Sequence, residues 1–294
     1  MKKAVLYLFF TLFFVACSPQ NNKEIVISTN QWIGYTPLYY AYEKGYLKNL
    51  NIKIINSVSL AEAADVYRVG KADMVTTTQH EYNALEIAMH DIVPVILLDR
   101  SNGGDMVLSN KSMQALQKSK KIYAYLEIDS INQEILKDFI KKNDLDSSKF
   151  IFVNKDQEQI QSIDFQKQLK KGDSIVIVTY VPYNAPLIKK GFHELASTKN
   201  IDSIVVIDAL CAKHKLLQTQ EERLKKLKQI IDDSIQEIND NPRETYKVTA
   251  KYLSNISYQE YLLALKNIKW INKPSNDLLD FISQYHYDKR YIIK

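Results

Sequence analysis

The sequence predicts an α/β protein whose two halves form two lobes around a cleft. Between residues 24 and 98, β-branched segments alternate with segments of helical spacing, and the alternation returns between residues 122 and 190. This pattern is typical of doubly wound sheets with parallel strands. Two extended stretches, residues 103–109 and 203–212, join the halves. Two α/β halves with two crossings indicate two lobes.

The elements of the first half are predicted from residue pattern and turn residues. Residues 24–30 alternate and are rich in β-branched side chains, which favours a strand. The next helix should begin near Pro37 and end near Gly45, because proline is favoured in a first helical turn and glycine just after a last one. The other predicted elements of this half are strands 51–58, 73–77 and 93–98 and helices 61–69 and 81–89.

The second half repeats the pattern and leads into a helical C-terminal part. Its predicted elements are strands 122–126, 150–153 and 174–179 and helices 130–142, 159–170 and 182–190. Later helices are predicted at 221–239, which has an apolar stripe, from Pro242, at 258–269 and at 276–285. Open α/β sheets bind ligands at the carboxyl ends of their strands, so we expect a ligand in the cleft.

The N-terminus has the features of an export signal. Lys2 and Lys3 precede an apolar run over residues 4–16, which is too short to span a bilayer. Cys17 ends this run in a setting that resembles a bacterial lipobox, where the cysteine is acylated. We predict a leader at 1–16, lipidation of Cys17, a polar tether at 17–23, and a place in the bacterial cell envelope on the extracytoplasmic face of a membrane. The alternative is an ordinary signal peptide with an incidental cysteine.

Composition argues against several classes of protein. The hydrophobic fraction of 46% and charged fraction of 25% are typical of a globular protein. The net charge of +5 becomes +3 without the two leader lysines, and basic residues are dispersed among acids, so nucleic acid is not an expected partner. Cys211 would be a lone, buried and inert thiol. His80 and His90 lack metal-ligand spacing and no catalytic motif occurs, so we expect no metal, no cofactor and no enzyme.

Five segments resemble nitrate/sulfonate/taurine-type substrate-binding proteins of ABC importers, which are related to the thiamine-pyrimidine-precursor-binding family. The segments are WIGYTPLYYA at 32–41, LLDRSNGGD at 97–105, YLEIDS at 125–130, VTYVPY at 178–183 and IDAL at 207–210. The resemblance implies a type II periplasmic-binding-protein fold, with the helical C-terminal part packed on lobe one. Lobe one would comprise 24–104 and 206–294, and lobe two 105–205.

The same resemblance implies a function and departs from the family at three positions. It implies a monomer that captures a small polar organic solute and passes it to a permease and its ATPase. Tyr180 and Val181 replace the usual tryptophan and glutamate, and Asp129 replaces a glycine beside Ser130. Ser130 is at a predicted helix start, where free amides favour an anion. Because a carboxylate there would repel an anion, the resemblance does not establish nitrate or sulfonate as the ligand.

The candidate ligand-binding residues of lobe one follow its strands. Trp32 and Tyr35 follow the first strand, and their rings could stack on a planar or cationic ligand, although Tyr35 could instead pack on the next helix. Thr77 and Thr78 offer hydroxyl groups at the end of the third strand, although strands favour threonine in any case.

Further candidates lie at the fourth strand and in lobe two. Ser101 and Asn102 end the fourth strand beside Asp99, which we expect to form a structural pair with Arg100 or a lysine. In lobe two, Ser130 is expected to cap a helix, with a possible second role as a ligand contact. Tyr180 and Tyr183 would close an aromatic box over the ligand.

Two other functions stay open at this point. One is a thiamine-pyrimidine synthase-like enzyme, which depends on a cysteine-rich iron-binding segment that this chain lacks. The other is a ligand-sensing surface lipoprotein without transport, which would have the same fold and the same cleft.

Overall fold

The computed structural model describes residues 23–167, 172–199, 205–254, 256–285 and 287–294. The predicted leader, Cys17 and all of the predicted tether except Lys23 lie outside the described residues. Within these ranges, no helix combines the length and the hydropathy that a membrane span requires.

The described residues contain strands that form two sheets. Their bounds are β1 Ile25–Asn30, β2 Ile52–Ser57, β3 Met74–Thr78, β4 Ile92–Ser101, β5 Asp105–Ser109, β6 Lys121–Leu126, β7 Phe150–Asn154, β8 Asp173–Tyr180, β9 His193–Ser197, β10 Ile207–Lys213 and β11 Ile268–Trp270. The first sheet has six strands in the order β11-β4-β10-β3-β1-β2, and the second has five in the order β7-β6-β8-β5-β9. The predicted two-lobed α/β architecture is confirmed.

Helices flank both sheets and form much of the C-terminal part. Their bounds are α1 Thr36–Glu43, α2 Leu60–Arg68, α3 Gln79–Met89, α4 Met113–Gln117, α5 Ile131–Lys142, α6 Gln157–Ser162, α7 Asn184–Lys189, α8 His214–Asp240, α9 Pro242–Thr249, α10 Tyr258–Leu265 and α11 Asn276–Ile282. Strand–helix alternation in each half therefore places the start of a helix just after the end of several strands, on the side where the sheets meet.

The C-terminal part packs on the first sheet, as the resemblance implied. The predicted apolar stripe of α8 is buried at every position: Leu224, Leu227, Ile231, Ile235 and Ile238. Helix α8 contacts α1, β4 and β10, and α9 contacts α1. An amphipathic helix with such a stripe is stable only against an apolar partner, which the first sheet and α1 supply.

Several predicted details are wrong. Both sheets are mixed, because β10 runs antiparallel to β3 and β4 and β5 runs antiparallel to β8. Strands β5 and β10 each enter a sheet from the other half of the chain. Each therefore begins at the carboxyl ends of its neighbours and runs opposite to them. Residues 105–109, predicted as part of a crossing, are strand β5, and the predicted helix 258–269 ends at Leu265 before the edge strand β11. Strands as short as β11 have too few residues for a periodic signal.

Candidate functional site

A small cavity lies between the two sheets, near the carboxyl ends of β1 and β3. Its volume is about 10 Å³, space for about one water molecule. Both halves of the chain line it, with Asn30, Trp32, Tyr35, Leu60, Thr78, Val206 and Asp208 from one and Asp105, Ile131 and Tyr180 from the other. The two lobes are therefore closed on each other around this cavity.

Trp32 lies at the centre of this region, with its polar group already bonded. The indole N–H donates to both carboxyl oxygens of Asp99, at 3.1 and 3.2 Å. Asp99 therefore pairs with Trp32. The pairing with Arg100 or a lysine that was predicted from the sequence is not formed within the described part of the chain. A Cβ on Gly34 would lie 2.0 Å from Asp99 Oδ2, and a Cβ on Gly104 would lie 2.5 Å from Trp32 Cη2. Both glycines are required because Trp32 and Asp99 pack directly on the backbone.

Tyr35 and the threonines reach the cavity to different extents. The Tyr35 hydroxyl donates to Asp208 Oδ1 at 2.5 Å, and both residues line the cavity. Thr78 also lines it and caps α3 through a capping box with Glu81. The Thr77 hydroxyl lies 3.3 Å from Cys211 Sγ within the sheet, and Thr77 is not among the lining residues.

Ser101 and Asn102 brace the crossing between the halves instead of lining the cavity. The Ser101 hydroxyl is 2.7 Å from Thr198 Oγ1 and accepts a hydrogen bond from the Asp105 amide at 3.1 Å. The backbone N–H of Asn102 donates to the backbone carbonyl of Asn267 at 2.8 Å. These bonds hold the chain where it leaves β4 and enters β5.

At the start of α5, a backbone amide reaches across the cleft, whereas the side chain of Ser130, which was predicted to contact the ligand, does not line the cavity. Ser130 caps the helix, since its hydroxyl accepts a hydrogen bond from the backbone N–H of Asn132 at 3.2 Å and donates one to the backbone carbonyl of Glu127 at 2.8 Å. The next amide, that of Ile131, donates to Glu81 Oε1 at 2.8 Å across the cleft. Ile131, and not Ser130, lines the cavity.

Tyr180 connects the two lobes, and Tyr183 supports it. The Tyr180 hydroxyl donates to Glu127 Oε1 at 3.2 Å and accepts from Asn30 Nδ2 at 3.4 Å. Its ring meets that of Trp32 edge-to-face, with centroids 5.9 Å apart, and that of Tyr183 in the same manner at 5.4 Å. Tyr183 is buried behind Tyr180 and does not line the cavity.

Buried carboxyl groups surround the cavity, and the sequence-based choice of site residues missed them. Asp105 and Asp208 line it, while Asp99 and Glu127 lie behind Trp32 and Tyr180. Burial raises the pKa of Asp105 to about 7 and that of Glu127 to about 8. Burial, together with repulsion by other carboxylates, also raises the pKa of Asp99 and of Asp208 well above the ordinary value.

The sequence contained a feature that could have identified these buried acids as site residues. Asp99 and Asp105 lie in the segment at 97–105 and Asp208 in the segment at 207–210, both of which carry the family resemblance. Their burial depends on how two sheets meet, which no local pattern reports. In the part of the chain that the structure describes, no group of three or more His, Cys, Asp or Glu side chains is arranged to hold a metal.

The two sheets, the paired crossings and the interlobe cavity define a periplasmic-binding-protein fold. A family model described as NMT1/THI5-like matches residues 32–245, so the chain belongs to the NMT1/THI5-like family. No curated protein sequence matches the chain.

Solved structures with the same fold include binding proteins for anions. The periplasmic aliphatic sulphonate binding protein SsuA of Escherichia coli has a TM-score of 0.69 at 13% identity, covering 92% of this chain and 94% of its own. The alkanesulfonate-binding protein SsuA of Xanthomonas axonopodis, bound to MOPS, has a TM-score of 0.71 at 12% identity, covering 95% and 96%. The periplasmic nitrate-binding protein NrtA of Synechocystis has a TM-score of 0.63 at 10% identity, covering 81% and 68%. The type II periplasmic-binding-protein fold is confirmed.

Proposed function

We propose that this protein is an exported, monomeric solute-binding lipoprotein that captures a small polar organic solute and delivers it to the permease and ATPase of an ABC importer. The observation that carries the proposal is the cavity lined from both halves, with Trp32 and Tyr180 meeting across it at 5.9 Å. Lobe one comprises 24–104 and 206–294, lobe two comprises 105–205, and Cys17 anchors the chain outside the cytoplasm.

Apolar packing closes the cleft, as of Leu60 on the core of the other half and of Trp32 on Tyr180, together with hydrogen bonds that water can replace when the hinge opens. Glu81 accepts from the Ile131 amide at 2.8 Å, and Asn30 donates to Tyr180 at 3.4 Å. At the rim, Lys189 lies 2.7 Å from Glu260, and the Lys189 side chain is 70% exposed. Exposed ion pairs contribute at most about 1 kcal/mol. Because the closed cavity has space for about one water molecule, a solute enters only when the lobes separate.

The enzyme alternative has no support from the cysteine that the structure describes. Cys211 is fully buried in β10 beside Thr77, and burial raises the pKa of its thiol to about 12. A thiol in that state is neither a nucleophile nor an accessible iron ligand.

The bound solute should compact the protein and stabilise it. Solute released from gently purified protein can be identified by mass spectrometry and then added back. At one hundred times its dissociation constant it should raise the free energy of unfolding by about 2.7 kcal/mol, and the radius of gyration in solution scattering should fall. A tight solute that leaves the scattering profile unchanged would contradict capture by lobe closure.

Lipidation of Cys17 should decide where the protein partitions. The wild-type chain expressed in a bacterial host should enter the detergent phase of a phase-separation assay, because acyl chains anchor it. Cys17→Ala should remain aqueous or retain its leader. Cys211→Ala is the matched control and should partition like the wild type, because Cys211 is buried in β10. Equal partitioning of wild type and Cys17→Ala would refute the anchor.

A further inference from the structure

We propose that the captured solute is a small organic cation, a protonated amine, held by Asp105 and Asn30 beside the rings of Trp32 and Tyr180. This inference rests on the proposed function and names its substrate class. It follows from which side chains line the cavity, which of their polar atoms lack a partner, and what occupies the nearest helix N-terminus.

Two acceptor atoms at the cavity have no hydrogen-bond donor. Asp105 Oδ2 and Asn30 Oδ1 are buried, with residue exposures of 4% and 0%, and neither has a partner among the residues that the structure describes. The orientation of the Asn30 amide follows from its Nδ2 donating to the Tyr180 hydroxyl, whose own proton is directed to Glu127. A buried acceptor without a donor costs about 1–3 kcal/mol. A protonated amine, which carries two or three N–H donors, would satisfy both acceptors.

The walls of the cavity carry acidic side chains and no basic ones. Asp105 and Asp208 are among the ten lining residues, and none of the ten is lysine or arginine. Among the described residues, the ion pairs found involve neither of these two acids, nor Asp99 or Glu127 behind them. Buried carboxylates require a compensating charge or a proton. A cationic ligand supplies that charge.

The helix N-terminus that could receive an anion is already occupied by the protein. The Ile131 amide at the start of α5 donates to Glu81 Oε1 at 2.8 Å, so the chain provides its own carboxylate there. An anionic solute would have to displace Glu81 and then lie beside Asp105. The helix N-terminus of this cleft therefore favours no anionic solute.

The aromatic residues fit the same ligand. The rings of Trp32 and Tyr180 both line the cavity and come from opposite lobes. Indole and phenol rings attract cations through their electron-rich faces. The Trp32 N–H is engaged by Asp99, so the ring offers the ligand its π-system and not its donor.

A ligand screen against the full-length protein tests the charge of the solute. Thermal-shift and calorimetric measurements would compare primary, secondary and quaternary alkylammonium ions with alkanesulfonates, carboxylates and nitrate of matched size. We expect the primary and secondary ammonium ions, which carry N–H donors, to raise the melting temperature and compact the protein, and the quaternary ions to bind more weakly because they donate no hydrogen bond. If a sulfonate, a carboxylate or a neutral solute compacts it, the proposed function stands and the cation inference falls. If no probe of any charge compacts it, both fall.

Substitution of Asp105 tests whether this residue binds the solute. Asp105→Asn should weaken binding of the best ammonium probe at least about tenfold and leave the melting temperature of the ligand-free protein unchanged or higher. Asp129→Asn is the matched control, because Asp129 is an exposed acid beside the cleft whose φ of +63° asparagine also adopts. It should bind like the wild type. Unchanged affinity in Asp105→Asn, or equal losses in both variants, would overturn the assignment of Asp105.

The pH dependence of binding gives an independent readout. A cation competes with protons for the carboxyl groups, so affinity for the ammonium probe should rise up to about tenfold per pH unit below the pKa of Asp105, which is about 7. The acids that interact electrostatically with this carboxyl are Asp99, Asp208 and Glu81, and the titratable Tyr35 and Tyr180 line the same cavity. An affinity that is constant from pH 5 to about pH 8 would contradict the inference.

Discussion

Replacing Trp32 with alanine should lower the free energy of unfolding by about 3–5 kcal/mol, even in the ligand-free protein. The side chain is 4% exposed and packs against Gly104, while its N–H holds the buried carboxyl of Asp99. Truncation removes a large aromatic ring and leaves Asp99 without its donor. A residue that served only as a ligand contact would cost little stability. Urea denaturation followed by circular dichroism measures the change.

Two variants separate the causes of this loss. Trp32→Phe keeps most of the ring but removes the donor to Asp99, so it should cost about 1–3 kcal/mol. Trp270→Ala is the matched tryptophan control, because Trp270 is half-buried and donates to the Gly34 carbonyl at 3.1 Å. It should cost less than Trp32→Ala. An alanine variant at Trp32 with wild-type stability would show that this ring is not part of the core.

With its lobes closed, the protein should become less stable as the pH rises from about 4 to about 8. Burial raises the pKa of Asp105 to about 7 and of Glu127 to about 8, above their values of about 4 in an unfolded chain. The folded state therefore binds protons more tightly than the unfolded state in this window. The stabilisation is complete below the unfolded pKa and is lost as the pH rises through the folded pKa. Each group contributes up to about 1.4 kcal/mol per pH unit.

Denaturation at a series of pH values measures this slope. Asp105→Asn and Glu127→Gln should each flatten it, whereas Asp129→Asn should not, because Asp129 is exposed. Glu260 does not interfere, since its bond to Lys189 lowers its pKa to about 2, and a lowered pKa affects stability only at more acid pH. A flat profile between about pH 5 and about pH 8 would mean that the cleft acids are hydrated in the ligand-free state.

The interlobe position of the site explains why its chemistry was hard to predict from the sequence. Trp32, Tyr35, Thr78 and Tyr180 were predicted from their places at strand ends, and all four line the cavity. Thr77, Ser101, Asn102 and Tyr183 were chosen on the same grounds, and Ser130 as a helix cap, and none of these five lines it. A strand end indicates which edge of the sheet a residue occupies, but its rotamer and neighbours decide whether the side chain reaches the ligand.

The acidic groups of the site were equally hard to predict from the sequence, as Asp99, Asp105 and Asp208 show. They are far apart in sequence, and each could be a solvated acid on local pattern alone. The closed sheets bury all three around one cavity, and this shared burial raises the pKa of each carboxyl group. Desolvation and mutual repulsion are properties of the assembled site, so they enter only with the tertiary structure.

The sequence by itself determined most of the helices and strands between residues 24 and 98 and between 122 and 190, the apolar stripe of α8 and the division into two α/β halves. Those features depend on side-chain periodicity and on turn residues such as Pro37 and Gly45, which act over a few residues. The tertiary structure alone decided the antiparallel entry of β10, the bond between Glu81 and the Ile131 amide, and the acid-lined cleft. Each of these joins segments distant in the chain, and contacts of that kind are set by how the two sheets pack, not by any local pattern.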